Sequence, residues 1–480
     1  TSVTGVQTCA LPISESARLP FRIKGSQGKY FFSSVDYSRL SPEVFGIFEG
    51  DELLSFDGRP TNEAIQELLQ TEAGDNNAAT DIRLAERMLT ARVGLLGEEV
   101  PRGPVVITVR SAGTKEIRNF QLIWDYTPEK VKNEMPIAMA AAKAVTKNNT
   151  SKNLADQPLF KKLFLHPSYK HTKQICSKLG HDEEGARQSY IPELGSVIWK
   201  SEDHDNFYAY LFETADRRLV GYIRIGDFLG AEASIEEYQK LIHYFQAHSD
   251  ALVIDQINNP GGSSFYLYGL LSMLTEQPLY TPRHRMSITQ SDVYSAVSYI
   301  PLFEAVESDQ DAQELLGATL EGVPVTFQMA KFFLNFFRFI VEEWEAGHKL
   351  TEPFYIFGVD KINPHPTVQY TKPILVLINE LDFSCADFFP AILQDNQRGK
   401  TFGTKTAGAG GYLMTDTFTN LNGIAYFHYT GSIAERINNN PIENLGVVPD
   451  IQYELTPEDL EFGYRRYAKA ILDAVHDLLK

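Results

Sequence analysis

The sequence predicts a chain in two parts: an α/β domain over residues 191–480, preceded by a small β-rich α+β module over residues 15–127. Three observations predict it. The C-terminal part alternates short apolar runs with helical patterns, as α/β domains do. In the N-terminal part, Gly50-Asp51-Glu52-Leu53-Leu54-Ser55-Phe56-Asp57-Gly58 reads as turn, strand and turn, with a helix following. Between the two, residues 128–190 lose apolar periodicity. There Ala138–Lys147 is rich in Ala and Lys, and Lys147-Asn148-Asn149-Thr150-Ser151-Lys152-Asn153 is polar throughout, a linker or exposed loop of the kind that is readily nicked.

Residues 1–14 lack the basic and apolar regions of a secretory signal and fit poorly with the residues from Glu15 onward; they read as a non-native leader, such as translated adapter sequence. In the module, Lys29–Val35 and Gly103–Arg110 are further strands, and Thr61–Gln70 is a helix capped by Thr61 or Asn62. In the α/β part, Tyr208–Phe212, Val220–Ile225 and Ala251–Asp255 are strands. Ile235–His248, Phe265–Leu274 and the aromatic-rich Val325–Glu345 are helices, and one helix from Pro457 to Leu479, capped by Thr456, ends the chain.

Composition narrows the function. The 480 residues are 43% hydrophobic and 22% charged, ordinary for a globular chain of two or three domains. A net charge of −18 argues against nucleic acid and anionic membrane surfaces as main partners. No apolar run reaches the roughly 18 residues of a membrane span; Phe332–Val341 is shorter and holds Asn335 and Arg338. Cys9, Cys176 and Cys385 cannot form a disulfide framework. No CxxC or HExxH spacing occurs, so no metal or organic cofactor is expected.

The stretch that carries chemistry begins at the buried strand Pro373–Ile378. A polar turn follows, then helical spacing from Ala386 to Leu393, so Ser384 stands where a strand ends and a helix begins. A serine there is either an N-cap or a nucleophile whose oxyanion would be held by unpaired amides. Cys385 beside it is a reactive thiol or, more simply, a buried structural one. Gly261-Gly262 also lies between a strand and a helix, without the spacing of a nucleotide loop. Thr406–Gly411 is a second glycine-rich turn.

Three stretches then carry a resemblance: Asp255–Ser263, Phe383–Pro390 with Thr401–Gly411, and Ile442–Val447. Together they resemble the C-terminal-processing and tricorn group of serine peptidases, over nearly all of Glu15–Lys480. Within that group the chain is most similar to a chlamydial, secreted type. The Gly50–Gly58 stretch and its helix resemble a PDZ domain, which can take an extended peptide onto a sheet edge. The resemblance implies a crotonase/ClpP-like catalytic domain over 191–480 with Ser384 as nucleophile, Glu443 as the carboxylate orienting a histidine base, and amides near Gly261, Gly262 and Cys385 as the oxyanion hole. It further implies a virulence factor cleaving host or unfolded proteins, self-cleavage within 128–190, and a homodimer.

Two departures limit it. Dyad peptidases of the group carry a lysine base in a Thr-Phe-Gly-Lys-Gly loop, whereas Thr404 follows Thr401-Phe402-Gly403 here. Lys405 is one residue further and would face the other side of an extended strand. A histidine base is therefore expected. In the group it lies shortly upstream of the motif that reads Glu15-Ser16-Ala17-Arg18-Leu19-Pro20 here, yet Thr1–Ser14 contains no histidine. The expectation is that the native start, with export signal and base, is missing, and that the chain is inactive or very weak. His284, His365 and His428 are not assigned as bases; His365 and His428 read as structural. Two other function classes stay open: a peptide-binding PDZ-type scaffold with a degenerate peptidase domain, and an acyl-CoA-handling enzyme of crotonase-like layout.

Overall fold

Short alternating apolar runs in the N-terminal module pair into a six-stranded antiparallel sheet. The computed structural model describes residues 7–10, 15–74, 76–128, 184–230, 232–320, 323–416 and 424–480. The module's sheet runs Phe21–Ser26, Lys29–Val35, Glu52–Phe56, Pro104–Arg110, Ile117–Ile123, with Arg59–Pro60 also paired to Glu52–Phe56. Helices Thr61–Thr71 and Ala78–Thr90 close its core over Phe21, Phe32, Leu53, Ile65 and Leu89.

The expected cap of the first helix is corrected: Pro60 is at the N-cap, with no side-chain cap. Thr61 instead donates its hydroxyl to the Leu53 carbonyl at 2.7 Å, and Asn62 accepts from Tyr30. The second helix, Ala78–Thr90, was not among the predicted elements. Its buried face includes Asp81 and Glu86, so apolar spacing alone does not mark it.

The C-terminal part is built on a seven-stranded sheet ordered Ser196–Lys200, Ala209–Glu213, Leu219–Arg224, Ala251–Asp255, Ile374–Ile378, Lys400–Gly403, Ile451–Gln452. The first two pairings are antiparallel and the rest parallel. Ala251–Asp255 and Ile374–Ile378 are buried at every residue, as strands covered on both faces must be. Helices Glu232–His248, Ser264–Ser272 and Cys385–Asp395 cover one face; Arg465–Leu478 covers the other. Phe327–Glu345 packs with Gln290–Glu304 in a separate aromatic cluster.

The predicted single C-terminal helix is two, Pro457–Glu461 and Arg465–Leu478. Gly463 and Tyr464 both take positive φ, which ends the first helix. Asp459 completes the capping box of Thr456 and also accepts from the Tyr467 N–H at 2.7 Å, at the start of the second. Most of the 128–190 segment, including 147–153, lies outside the described residues, as does the His428 side chain. Of the leader, Gln7–Ala10 forms a strand antiparallel to Ile424–Thr430, which in turn pairs with Leu413–Asp416. Among the described residues no helix is long and apolar enough to cross a membrane.

Candidate active site

The adjacent parallel strands Ala251–Asp255 and Ile374–Ile378 end side by side, and the chain leaving each builds the site. The carboxyl ends of such strands are where α/β sheets hold their ligands. The two exits are tied by side chains. Asn258 donates its N–H to Asn379 Oδ1 at 2.9 Å, and Asn379 Nδ2 donates to Asn258 Oδ1 at 2.7 Å. Buried Asp382 accepts from the N–H groups of Asn379 and Asn259 and from Gln256 Nε2, all at 3.0–3.1 Å. Burial pushes its pKa well above the usual carboxylate range.

Ser384 precedes helix Cys385–Asp395 with φ 56° and ψ −115°, and its side chain caps nothing. A non-glycine residue in that region is strained, by about 1–3 kcal/mol. The cap reading of Ser384 is thereby corrected. The reverse cap comes from Asp387, whose carboxylate accepts from the Ser384 main-chain N–H. Ser384 is half-buried, and its side chain meets the Cys385 thiol without capping the helix. Ser384 thus stands at a sharp, strained strand-to-helix turn.

Gly261 lies against this turn. A β-carbon on it would meet Ser384 Cβ at 2.7 Å and the Cys385 nitrogen at 3.0 Å. The Gly261 N–H is donated to Asn259 Oδ1 at 2.8 Å, and its carbonyl accepts from Phe228 at 2.9 Å. A trans peptide sets the Gly262 N–H opposite that carbonyl, away from Phe228. Among the described residues, neither the Gly262 N–H nor the Cys385 N–H has an acceptor. The Cys385 thiol is buried, donates to the Gly262 carbonyl at 3.2 Å, and is pushed up to about 12 by burial. It is a structural thiol, and a poor nucleophile.

Asp387 links this turn to the second glycine loop. It accepts from Thr406 Oγ1 at 2.5 Å and from the N–H groups of Gly408 and Ala409 at 2.9 Å. Burial pushes its pKa up to about 6. Gly408 in turn accepts from the Asn444 N–H at 2.8 Å, which brings Glu443 to the same loop. Both Glu443 oxygens accept from the Ala434 N–H, at 2.9 Å each. Burial, with a smaller repulsion from Asp387, pushes Glu443 up to about 7. Gly261 and Gly262 thus lie against the Ser384–Cys385 turn, and the loop that Asp387 holds also accepts from Asn444, the residue after Glu443. Sequence reasoning missed Asp387, although its place three residues after Ser384 is the N3 position of a capping box.

Thr404 donates to the Glu380 carboxylate, so the position of a dyad lysine is taken by a structural hydroxyl. His284 is buried, stacks on Tyr412 at 5.1 Å, and is pushed down to about 3 by burial, which makes it a poor base near neutral pH. His365 is structural: its Nδ1 accepts from the Val368 N–H at 3.1 Å.

Residues 15–131 match the PDZ domain family, and residues 219–453 match peptidase family S41. The chain is 39% identical to an uncharacterized protein of Chlamydia muridarum (strain MoPn / Nigg), over 97% of this chain and 80% of that one. It is 38% identical to a protein of Chlamydia trachomatis serovar D, again over 97% and 80%. The chain belongs to peptidase family S41, and joins a PDZ domain to the peptidase domain of a serine peptidase. More particularly, it is similar to mature CPAF, chlamydial protease-like activity factor, solved in complex with lactacystin. The TM-score is 0.76 at 35% identity, over 99% of this chain and 86% of that one.

Proposed function

We propose that this chain is a serine endopeptidase of host or unfolded proteins in which Ser384 is the nucleophile. One observation carries the reading: Ser384 is held in a strained turn, released from capping and pressed against Gly261, beside the unpaired amides of Gly262 and Cys385. The hydroxyl attacks a peptide carbonyl as the base takes its proton. The oxyanion is received by the Gly262 and Cys385 N–H groups, since the Gly261 N–H is already used. The protonated base then gives its proton to the leaving amine, and water hydrolyses the acyl-enzyme by the same route. Glu443 orients the base and stabilises its charged form; an imidazolium beside it would draw its raised pKa back down.

The base is a histidine delivered by the stretch upstream of Glu15. Support comes from the path of Gln7–Ala10 along Ile424–Thr430, whose partner Leu413–Asp416 begins two residues after Gly411. A β-carbon on Gly411 would lie 3.0 Å from Glu443 Oε1. Thr1–Ser14 itself holds no histidine, and a triad without its base keeps only about 10³–10⁴-fold catalysis over water. Secretion, a virulence role on host proteins, self-cleavage within 128–190 and a homodimeric active form follow the likeness to CPAF, whose solved form is a mature one.

The test is a chimera in which Thr1–Ser14 is replaced by the segment that precedes the equivalent of Glu15 in the Chlamydia trachomatis relative. Casein hydrolysis and fluorophosphonate labelling of Ser384 should both rise by at least about 10³-fold over this chain. Ser384→Ala should abolish both. Hydrolysis that survives Ser384→Ala ends the assignment.

A further inference from the structure

The PDZ module meets the peptidase domain in part through helix Ala78–Thr90, and that helix lies along the module's edge strand, where a peptide would dock. Strand addition needs an exposed sheet edge. The edge strand Phe21–Ser26 lies beside helix Ala78–Thr90, and Phe21 through Gly25 are all buried. The outward main-chain groups of Gly25 are both taken by that helix. Its N–H donates to Glu86 Oε1 at 3.0 Å, and its carbonyl accepts from Arg83 Nη1 at 2.8 Å. A β-carbon on Gly25 would stand 2.5 Å from Glu86 Oε1, so the helix presses on bare backbone. At the strand's start, the Leu19 N–H donates to the Thr90 carbonyl at 2.8 Å, and Arg22 to Thr90 Oγ1 at 3.2 Å. The rest of the chain meets the same strand: Ser26 Oγ donates to the Leu455 carbonyl of the peptidase domain at 2.6 Å, and Lys24 sits over the ring of Tyr190, just before that domain, at 3.7 Å.

The helix then reaches the Ser384 turn. Arg83 Nε pairs with the Glu380 carboxylate, and Thr80 Oγ1 donates to the Glu380 carbonyl at 2.8 Å. Asn77 Nδ2 donates to the Ala407 carbonyl at 2.7 Å, in the loop whose amides hold Asp387. Arg83 thus serves two nearly inaccessible carboxylates, Glu86 at 2% exposure and Glu380 at 7%. Removing a shared cation would leave buried charge uncompensated.

We infer that the module is an internal brace and not a peptide receptor at this edge: its own helix occupies the strand, with Arg83 and Asn77 as positioning residues for the Ser384 turn. This holds whatever chemistry Ser384 performs.

Hydrogen exchange on the full chain tests it. A decapeptide ending in Val-Val with a free carboxylate should leave exchange at Leu19–Ser26 unchanged. Arg83→Met should speed exchange at residues 379–388 by about tenfold relative to the central strand Ala251–Asp255; a general loss of stability would speed both alike. Adding Glu86→Gln and Glu380→Gln should restore most of that protection. Peptide-induced protection of Leu19–Ser26 overturns the inference, and needs no variant to fold. Unchanged exchange at residues 379–388 in Arg83→Met overturns it equally.

Discussion

Gly261 and Ser384 are packed with no room for a methyl group between them: a β-carbon on Gly261 would stand 2.7 Å from Ser384 Cβ and 2.6 Å from the Phe383 carbonyl oxygen. The two residues leave different strands, and their contact sets the distance between an uncapped hydroxyl and the neighbouring amides. Gly261 also has φ 90°, where a side chain is strained whatever the space. Gly261→Ala should therefore cost about 2–3 kcal/mol in urea unfolding. In the chimera carrying a histidine it should lower labelling of Ser384 at least tenfold. A midpoint and a labelling rate both like wild type would mean that the turn yields easily.

Glycine outranks alanine at helix N-caps in general, and the φ 56° and ψ −115° of Ser384 add to that preference. Ser384→Gly should be more stable than Ser384→Ala by about 1 kcal/mol, while both lack activity. Equal unfolding midpoints would show that the turn relaxes once the hydroxyl is gone.

Asp387 is the acceptor that holds the turn and the Thr406–Ala409 loop together. Asp387→Ala would strand buried donors, each at a cost of about 1–3 kcal/mol before relaxation. A net loss of about 3 kcal/mol in urea unfolding is expected. Asp387→Asn keeps one acceptor oxygen and should lose less. If Asn destabilises as much as Ala, the charge matters more than the hydrogen bonds.

Glu443 makes stability depend on pH with a definite sign. Its folded pKa, about 7, stands above the ordinary 4.5 because burial disfavours the charge. The fold therefore holds the proton more tightly than the unfolded chain does, and stability falls as pH rises from near 4.5 through 7. Asp387, raised from 3.8 to about 6, acts in the same direction at slightly lower pH. The Glu443 share is on the order of 2 kcal/mol between pH 5 and pH 8. Glu443→Gln should flatten that slope and stabilise the chain at pH 8. Thermal unfolding across this range checks it, and a slope unchanged by the substitution would assign the effect elsewhere.

Much of the site's frame was legible because it is local. Ala251–Asp255 and the run ending at Ile378 are unbroken apolar stretches, and a strand buried on both faces must look that way. Ser384 at a strand-to-helix junction and Gly261-Gly262 at another could likewise be read off. Helix Ala78–Thr90 could not, since its buried polar side chains are matched by partners far away in sequence. Arg83 and Glu380, for instance, are 297 residues apart.

By itself, then, the sequence determined where the strands end, which residues stand at those ends, and that no histidine lies among Thr1–Ser14. Whether Asp387 would also take the Thr406–Ala409 loop, and so join the Ser384 turn to the stretch before Glu443, was decided by the tertiary structure alone. So was whether the PDZ helix would leave its groove open or fill it and reach Glu380. The physical reason is that local spacing sets which groups are available for hydrogen bonding, whereas only the packing of distant segments settles which donor meets which acceptor once water is excluded.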